Sequence, residues 1–210
     1  MIKVFIADDH SIVREGLKQI LTDTPDMSLM GEASTGPEAL SKIRKNRYDV
    51  VVLDLSLPGI SGLDVLKQIK SEKPDTQVLI LSIYPEEQYA VRVLKAGAAG
   101  YMSKETAPDE LVEAIRKVSV GRKYVSTALA EKLAFDLDLE TDNELHEALS
   151  DREFQVMCLI ASGKRMTDIA SELSLSVKTV STYRTRILEK MKMKTNAEIM
   201  HYAMKHGLVE

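Results

Sequence analysis

The 210-residue chain lacks most of what would lock it covalently or take it out of water. Its single cysteine, Cys158, leaves no partner for an internal disulfide. It lies in an apolar run, where a buried and inert thiol is expected. No apolar stretch approaches the roughly 18 residues of a membrane span. The start, Met1-Ile2-Lys3, passes through four apolar residues straight to Asp8-Asp9, which does not read as a signal peptide. These absences predict a cytoplasmic protein. A strong net charge is missing too: the formal −4 names no partner by itself.

What is present is unevenly spread. Residues 1–120 carry a net −3, residues 121–147 a net −4 and residues 148–210 a net +3. An acidic front, an acidic connector and a basic tail predict two domains with different partners, over 1–120 and 148–210.

In the first 120 residues, apolar runs alternate five times with stretches of helical spacing. The runs are continuous rather than alternating in and out. Both features predict an α/β fold, a doubly wound five-stranded parallel sheet covered by helices on both faces. Right-handed crossovers then put every strand's C-terminal end on one edge, where ligands bind in such sheets. The stretch from Asp49 to Gly62, Asp-Val-Val-Val-Leu-Asp-Leu-Ser-Leu-Pro-Gly-Ile-Ser-Gly, places Asp54 at one such end, before a turn. Asp8-Asp9, Ser82 and Lys104 fall at the ends of others.

Three carboxylates, Asp8, Asp9 and Asp54, against the one ammonium of Lys104 leave a net −2 in a crevice. Such a cluster repels itself and raises one pKa. A divalent cation cancels the charge, and hard oxygen ligands suit Mg²⁺. Cation, Lys104 and Ser82 would then hold a phosphoryl group, with Asp54 as the attacking carboxylate. Each residue alone would be read as a cap or a solvated charge; the order at successive strand ends sets them apart. His10, beside the acids, reads as a cap or solvated side chain.

Residues 121–147 begin with a polar exit, Gly121-Arg-Lys-Tyr-Val. A short helix is expected over Thr127 to Leu137, and Asp136 to Glu147 reads as an acidic tether, with rest on the basic tail as the other reading.

Residues 148–210 predict an all-α four-helix domain. Met166 to Leu173, a turn at Ser174-Leu175-Ser176 and a long basic helix from Val177 to Met191 match a helix-turn-helix. Val177, Val180, Ile187, Leu188 and Met191 are expected inward. The other face presents Lys178, Ser181, Thr182, Arg184, Thr185, Arg186 and Lys190, types that suit phosphates and base edges.

Asp8-Asp9, Asp54 with the following Leu-Pro-Gly-Ile-Ser-Gly, Ser82, and Lys95-Ala-Gly-Ala-Ala-Gly-Tyr-Met-Ser-Lys104 resemble the receiver domain of two-component response regulators. The resemblance implies Asp54 as phospho-acceptor from a histidine kinase. It implies Asp8, Asp9, Asp54 and the Ser56 backbone carbonyl as Mg²⁺ ligands, and Lys104 and Ser82 on the phosphoryl group. Ser82 and Tyr101 become the switch pair, with Tyr101 turning inward on phosphorylation. Glu105 stands where the family often has a cis proline. Leu149-Ser-Asp-Arg-Glu153, Ile160-Ala-Ser-Gly163, the run from Asp168 to Tyr183 and Lys205-His-Gly-Leu208 resemble the LuxR-type output domain of NarL/FixJ regulators. By position, Ser181, Thr182 and Thr185 face bases, and Lys178, Arg184 and Lys190 contact phosphates of double-stranded DNA with paired half-sites. Ser181 and Tyr183 replace the family's usual Lys and His. Ile199, Tyr202 and Ala203 are the implied contacts of an output dimer.

The expected protein is a phosphorylation-controlled transcriptional regulator, a homodimer when active and not an enzyme. Two alternatives stay open. One is a DNA binder with a silent receiver. The other is an aspartyl-phosphate phosphatase, which often has a second acid two residues after the nucleophile, where this chain has Ser56.

Overall fold

The structure, a computed structural model, describes residues 1–127, 129–131 and 144–209, with the side chain of Glu87 left aside. The chain divides into two compact units, Met1–Glu131 and Lys132–Glu210.

In the first unit, strands and helices alternate as β1 (Ile2–Ala7), α1 (Ser11–Thr22), β2 (Met27–Ala33), α2 (Gly36–Lys45) and β3 (Val50–Asp54). They continue through α3 (Gly62–Glu72), β4 (Gln77–Ser82), α4 (Glu86–Lys95), β5 (Gly100–Ser103) and α5 (Ala107–Ser119). The strands form one parallel sheet in the order β2-β1-β3-β4-β5. β3 is buried along its whole length, which is why its sequence is a continuous apolar run rather than an alternating one. Helices α1 and α5 cover one side of the sheet. Leu17, Leu21, Leu111, Ile115 and Val118 pack there against Val4, Val52 and Leu81.

The register positions the strand ends. Ala7 pairs with Leu53, Asp54 with Leu81 and Ser82 with Ser103. Asp8 therefore falls beside Asp54, and Lys104 one step beyond Ser103. The turn after β3 depends on two glycines. Gly59 adopts φ +83°, a left-handed conformation that L side chains rarely enter. Gly62 lies so close under β3 that a Cβ would sit 2.0 Å from the Asp54 carbonyl oxygen. Ser61 caps α3 by accepting from the Asp64 N–H.

Beyond α5 the chain is not a free polar exit. Tyr124 lies alongside β5 and bridges to Gly100. Residues 127 and 129–131 are helical; the remainder of the helix expected to Leu137, and most of the acidic tether, lie outside the described residues.

The second unit contains a short 3₁₀ turn at Leu145–Ala148 and helices α6 (Asp151–Ala161), α7 (Met166–Glu172), α8 (Val177–Lys190) and α9 (Asn196–Lys205). α6 is buried on nearly every side, and Cys158 lies within it. Its start is a capping box: Ser150 accepts from the Glu153 N–H while the Glu153 carboxylate accepts from the Ser150 N–H. The α7–α8 turn passes through Ser174 at φ 53°, and Ser176 caps α8 by accepting from the Thr179 N–H. No helix among the described residues is long and apolar enough to cross a membrane.

Candidate functional site

At the C-terminal edge of the sheet, Asp8, Asp54 and Ser82 are all buried, while Asp9 is a third exposed. The Lys104 ammonium lies 2.7 Å from Asp54 Oδ2 and 2.7 Å from Asp8 Oδ2. It donates a hydrogen bond to Asp54 and pairs as closely with Asp8, so one ammonium serves both buried carboxylates. Asp54 Oδ1 accepts from the Ser56 N–H at 3.1 Å, and Asp8 Oδ1 from the His10 N–H at 2.8 Å. Burial pushes the Asp54 carboxyl above the usual carboxylate range, with Lys104 opposing and Asp8 adding to the rise. Burial also pulls the Lys104 ammonium down, but the two aspartates outweigh it and hold it above the usual lysine range.

The acids fit a hard cation. Ligand atoms of Asp8, Asp9, His10 and Asp54 lie within 4.8 Å of one another. One ammonium cannot neutralise three carboxylates, so the set is incomplete without further positive charge. The His10 ring is more than half exposed and lies 2.8 Å from Asp9 Oδ1; as N-cap of α1 it makes no side-chain cap bond. Ser56 supplies no second acid beside Asp54, and Glu105 follows Lys104 through a trans bond, its N–H on Ser103 Oγ.

Ser82 is fully buried, and its Oγ accepts from the Tyr84 N–H. Tyr101, the implied switch partner of Ser82, lies inward. It is 2% exposed, and its hydroxyl donates to the Tyr84 carbonyl at 2.7 Å. That carbonyl satisfies the phenol. Burial raises the phenol's pKa, and a hydrogen bond with Ser82 opposes the rise.

Sequence reasoning missed two groups here. Tyr84 joins Ser56 (3.4 Å from its hydroxyl) to Tyr101. Arg14 donates to the Asp8 backbone carbonyl at 2.7 Å and so fixes the strand end that carries the acid. Tyr84 lies two residues past Ser82, a spacing that could have flagged it. Arg14 sits one helical turn after His10 and gave no such signal.

In the second unit, Lys178, Ser181, Thr182, Thr185 and Arg186 line the exposed side of α8. The Thr182 and Thr185 hydroxyls donate to backbone carbonyls four residues back. Val177 was expected inward but is 46% exposed; it is the first residue of α8. Arg184 donates through Nε to Asn196 Oδ1 at 2.6 Å. Lys190, expected at a phosphate, pairs at 2.6 Å with Glu153, whose side chain is almost wholly buried. Burial pushes the Glu153 carboxyl up, but Lys190 and the Ser150 N–H outweigh it and hold it below the usual range. Lys190 thus adds an ion pair to the α6 cap, while its own side chain stays 41% exposed.

The dimer assignment also changes. Ile199 and Ala203 are fully buried inside the domain, because the inward stripe of α9 seals α6. Tyr202 is half-buried; its ring stacks on His206, and its hydroxyl lies 3.0 Å from His146 Nδ1. The exposed apolar side of α9 is instead Met200 and Met204.

A parallel sheet with an acidic pair, a third acid, a serine and a lysine on its carboxyl edge, beside a helix-turn-helix, defines a signal-receiving DNA-binding protein. Residues 4–116 match the response regulator receiver domain, and residues 147–203 match the luxR family of bacterial regulatory proteins. The chain belongs to the NarL/FixJ family of two-component response regulators, with a receiver domain and a LuxR-type DNA-binding domain.

It is 39% identical to the response regulator UvrY of Escherichia coli K12, over 99% of this chain and 96% of that protein. It is 38% identical to the response regulator GacA of Pseudomonas syringae pv. syringae, over 100% and 99%. Among solved structures it is similar to RcsB of Salmonella typhimurium (TM-score 0.67, 25% identity, 98% of both chains). It is also similar to Salmonella RcsB bound to promoter rprA in the presence of phosphomimetic BeF3⁻ (TM-score 0.64, 26% identity, 97% of this chain and 99% of that one).

Proposed function

We propose that Asp54 accepts a phosphoryl group from a sensor histidine kinase and that this controls dimerisation and DNA binding by residues 148–210. The observation that carries the reading is the Lys104 ammonium, 2.7 Å from two buried carboxylates and outnumbered by them. An Asp54 oxygen attacks phosphorus as the bond to the kinase imidazole breaks, giving an aspartyl phosphate and a free histidine. Lys104 leaves its ion pairs to meet a phosphoryl oxygen, and the Ser82 hydroxyl donates to another. Asp8, Asp9, Asp54 and the Ser56 carbonyl would hold Mg²⁺, which supplies neutralisation of the phosphoryl oxygens. The protein is then a phosphoryl acceptor in the cytoplasm, not an enzyme with an external substrate. On α8, Ser181, Thr182 and Thr185 meet base edges, while Lys178, Arg184 and Lys190 meet phosphates of paired half-sites. Met200 and Met204 are the candidate output-dimer contacts.

The test is Phos-tag electrophoresis after incubation with acetyl phosphate and Mg²⁺. The wild-type protein shifts, and a persisting shift in Asp54→Ala overturns the assignment. The other reading, DNA binding independent of phosphorylation, would be selected by equal DNA affinity with and without phosphorylation.

A further inference from the structure

The chain leaving α5 does not hang free of the receiver sheet. It returns along the outer edge of β5, and the contacts run on both sides of Tyr101. The Tyr124 N–H donates to the Ala99 carbonyl at 2.9 Å, and the Tyr101 N–H donates to the Tyr124 carbonyl at 3.2 Å. Gly100 makes this approach possible. A Cβ there would meet the Tyr124 carbonyl oxygen at 2.5 Å and the Tyr124 Cβ at 2.8 Å. Side chains hold the same stretch down. The Tyr124 hydroxyl donates to Glu110 of α5 at 2.6 Å, and the Lys117 ammonium lies 5.5 Å from the centre of its ring. Lys123 Nζ donates to the Ala98 carbonyl at 2.6 Å, and the Ser126 N–H reaches Glu86, the first residue of α4, at 3.4 Å.

Tyr101 thus faces two ways. Its hydroxyl is held by the Tyr84 carbonyl, and the Tyr84 N–H is held by Ser82, at the phosphoryl end of the sheet. Its backbone N–H is held by the chain that leads out of the domain. A residue hydrogen-bonded on both sides is a mechanical link. Any shift of β5 that follows Ser82 and Tyr84 must stretch or tighten the bond to Tyr124.

We propose that residues 122–126 form a strap whose hold on the β5 edge changes with the phosphoryl state of Asp54, through Tyr101, and carries the signal out of the receiver. The strap rests on the assignment of Asp54 as phosphoryl acceptor. It also gives Gly100 a role that turn geometry does not: Gly100 is a strand residue kept bare so that the strap can lie across it.

The test compares full-length wild type, Gly100→Ala and Tyr124→Ala, with a duplex selected in vitro by the phosphorylated wild-type protein as the DNA probe. In the wild type, hydrogen exchange of the Tyr101 and Tyr124 amides, followed by NMR, should change about tenfold on phosphorylation, because each reads one bond of the strap. In Gly100→Ala the added methyl opens the strap, so both amides exchange fast in either state. Phos-tag electrophoresis should still show Asp54 phosphorylated to within about twofold, while the ratio of DNA affinities with and without phosphorylation falls to within about twofold of one. Tyr124→Ala removes the Glu110 and Lys117 anchors without adding an atom, and should act in the same direction if Gly100→Ala does not fold. Exchange at Tyr101 and Tyr124 that ignores phosphorylation in the wild type overturns the strap. So does an unchanged affinity ratio in a variant whose strap is open. A wild-type affinity ratio of one would instead overturn phosphorylation control itself, and the absence of a wild-type Phos-tag shift would overturn Asp54 as acceptor.

Discussion

Two lysines in this protein do opposite things with similar partners. Lys104 lies against the buried carboxylates of Asp8 and Asp54, with Asp9 close by. Lys190 lies against the single buried carboxylate of Glu153. In the receiver the acids outnumber the base, and one ammonium serves both Asp8 and Asp54. In the output domain the count is one to one, and the Ser150 N–H takes up more of the same Glu153 oxygen. The pKa directions follow: Asp54 is pushed up by burial, whereas Glu153 ends below its usual range because its partners outweigh burial. An unbalanced buried cluster holds a stability cost that added positive charge would relieve. A balanced pair is part of the scaffold. Both pairs are lysine and carboxylate, so stoichiometry separates site from structure here.

Three measurements would break or sharpen that contrast. The largest effect is expected from Lys190→Ala, which leaves Glu153 buried without its cation. It should lower the unfolding free energy of the output domain by about 2 kcal/mol, read by urea denaturation of the full-length chain. A change within about 0.5 kcal/mol, the range of ordinary surface substitutions, would return Lys190 to the pool of free DNA contacts.

Next in size, Asp54→Asn should stabilise the cation-free protein, by on the order of 1 kcal/mol, because it removes one of several like charges from the crevice. Its Tm in EDTA should rise by a few degrees. A fall would mean that the Lys104–Asp54 bond outweighs the repulsion.

The smallest effect is a pH slope. A carboxyl with a depressed native pKa contributes stability above its unfolded value of about 4.3, and that contribution is lost as pH falls through the native value. Acid denaturation curves of Glu153→Gln should therefore be flatter than wild type below about pH 4.3. Identical slopes would show that Lys190 and Ser150 do not favour the ionised form.

Much of this was written in the chain as local pattern. Continuous apolar runs marked β1, β3 and β4 because a strand buried on both faces has no polar side to display. Pro58, Gly59, Ser61 and Gly62 marked the turn that leaves Asp54 at the strand's end. Ser174-Leu175-Ser176 marked the helix-turn-helix because a capping hydroxyl is a local device. Assignments that needed to know which side of a helix meets another helix fared less well. Ile199 and Ala203 look like any apolar pair on a terminal helix, yet the packing of α9 on α6 buries them and leaves Met200 and Met204 outside. Val177 fits the apolar period of α8, but a period cannot say whether its first residue is covered.

By itself, then, the sequence determined the alternation of strands and helices, the set of acids, serine and lysine at the strand ends, and the basic helix. These depend on residue type and spacing along the chain. Only the tertiary structure decided that Lys190 belongs to Glu153, 37 residues away, and that Tyr101 is held inward by the Tyr84 carbonyl. The same holds for the return of Tyr124 across Gly100. Each of these is a contact between elements whose mutual distance is fixed by the packing of other elements, and nothing local to either partner records it.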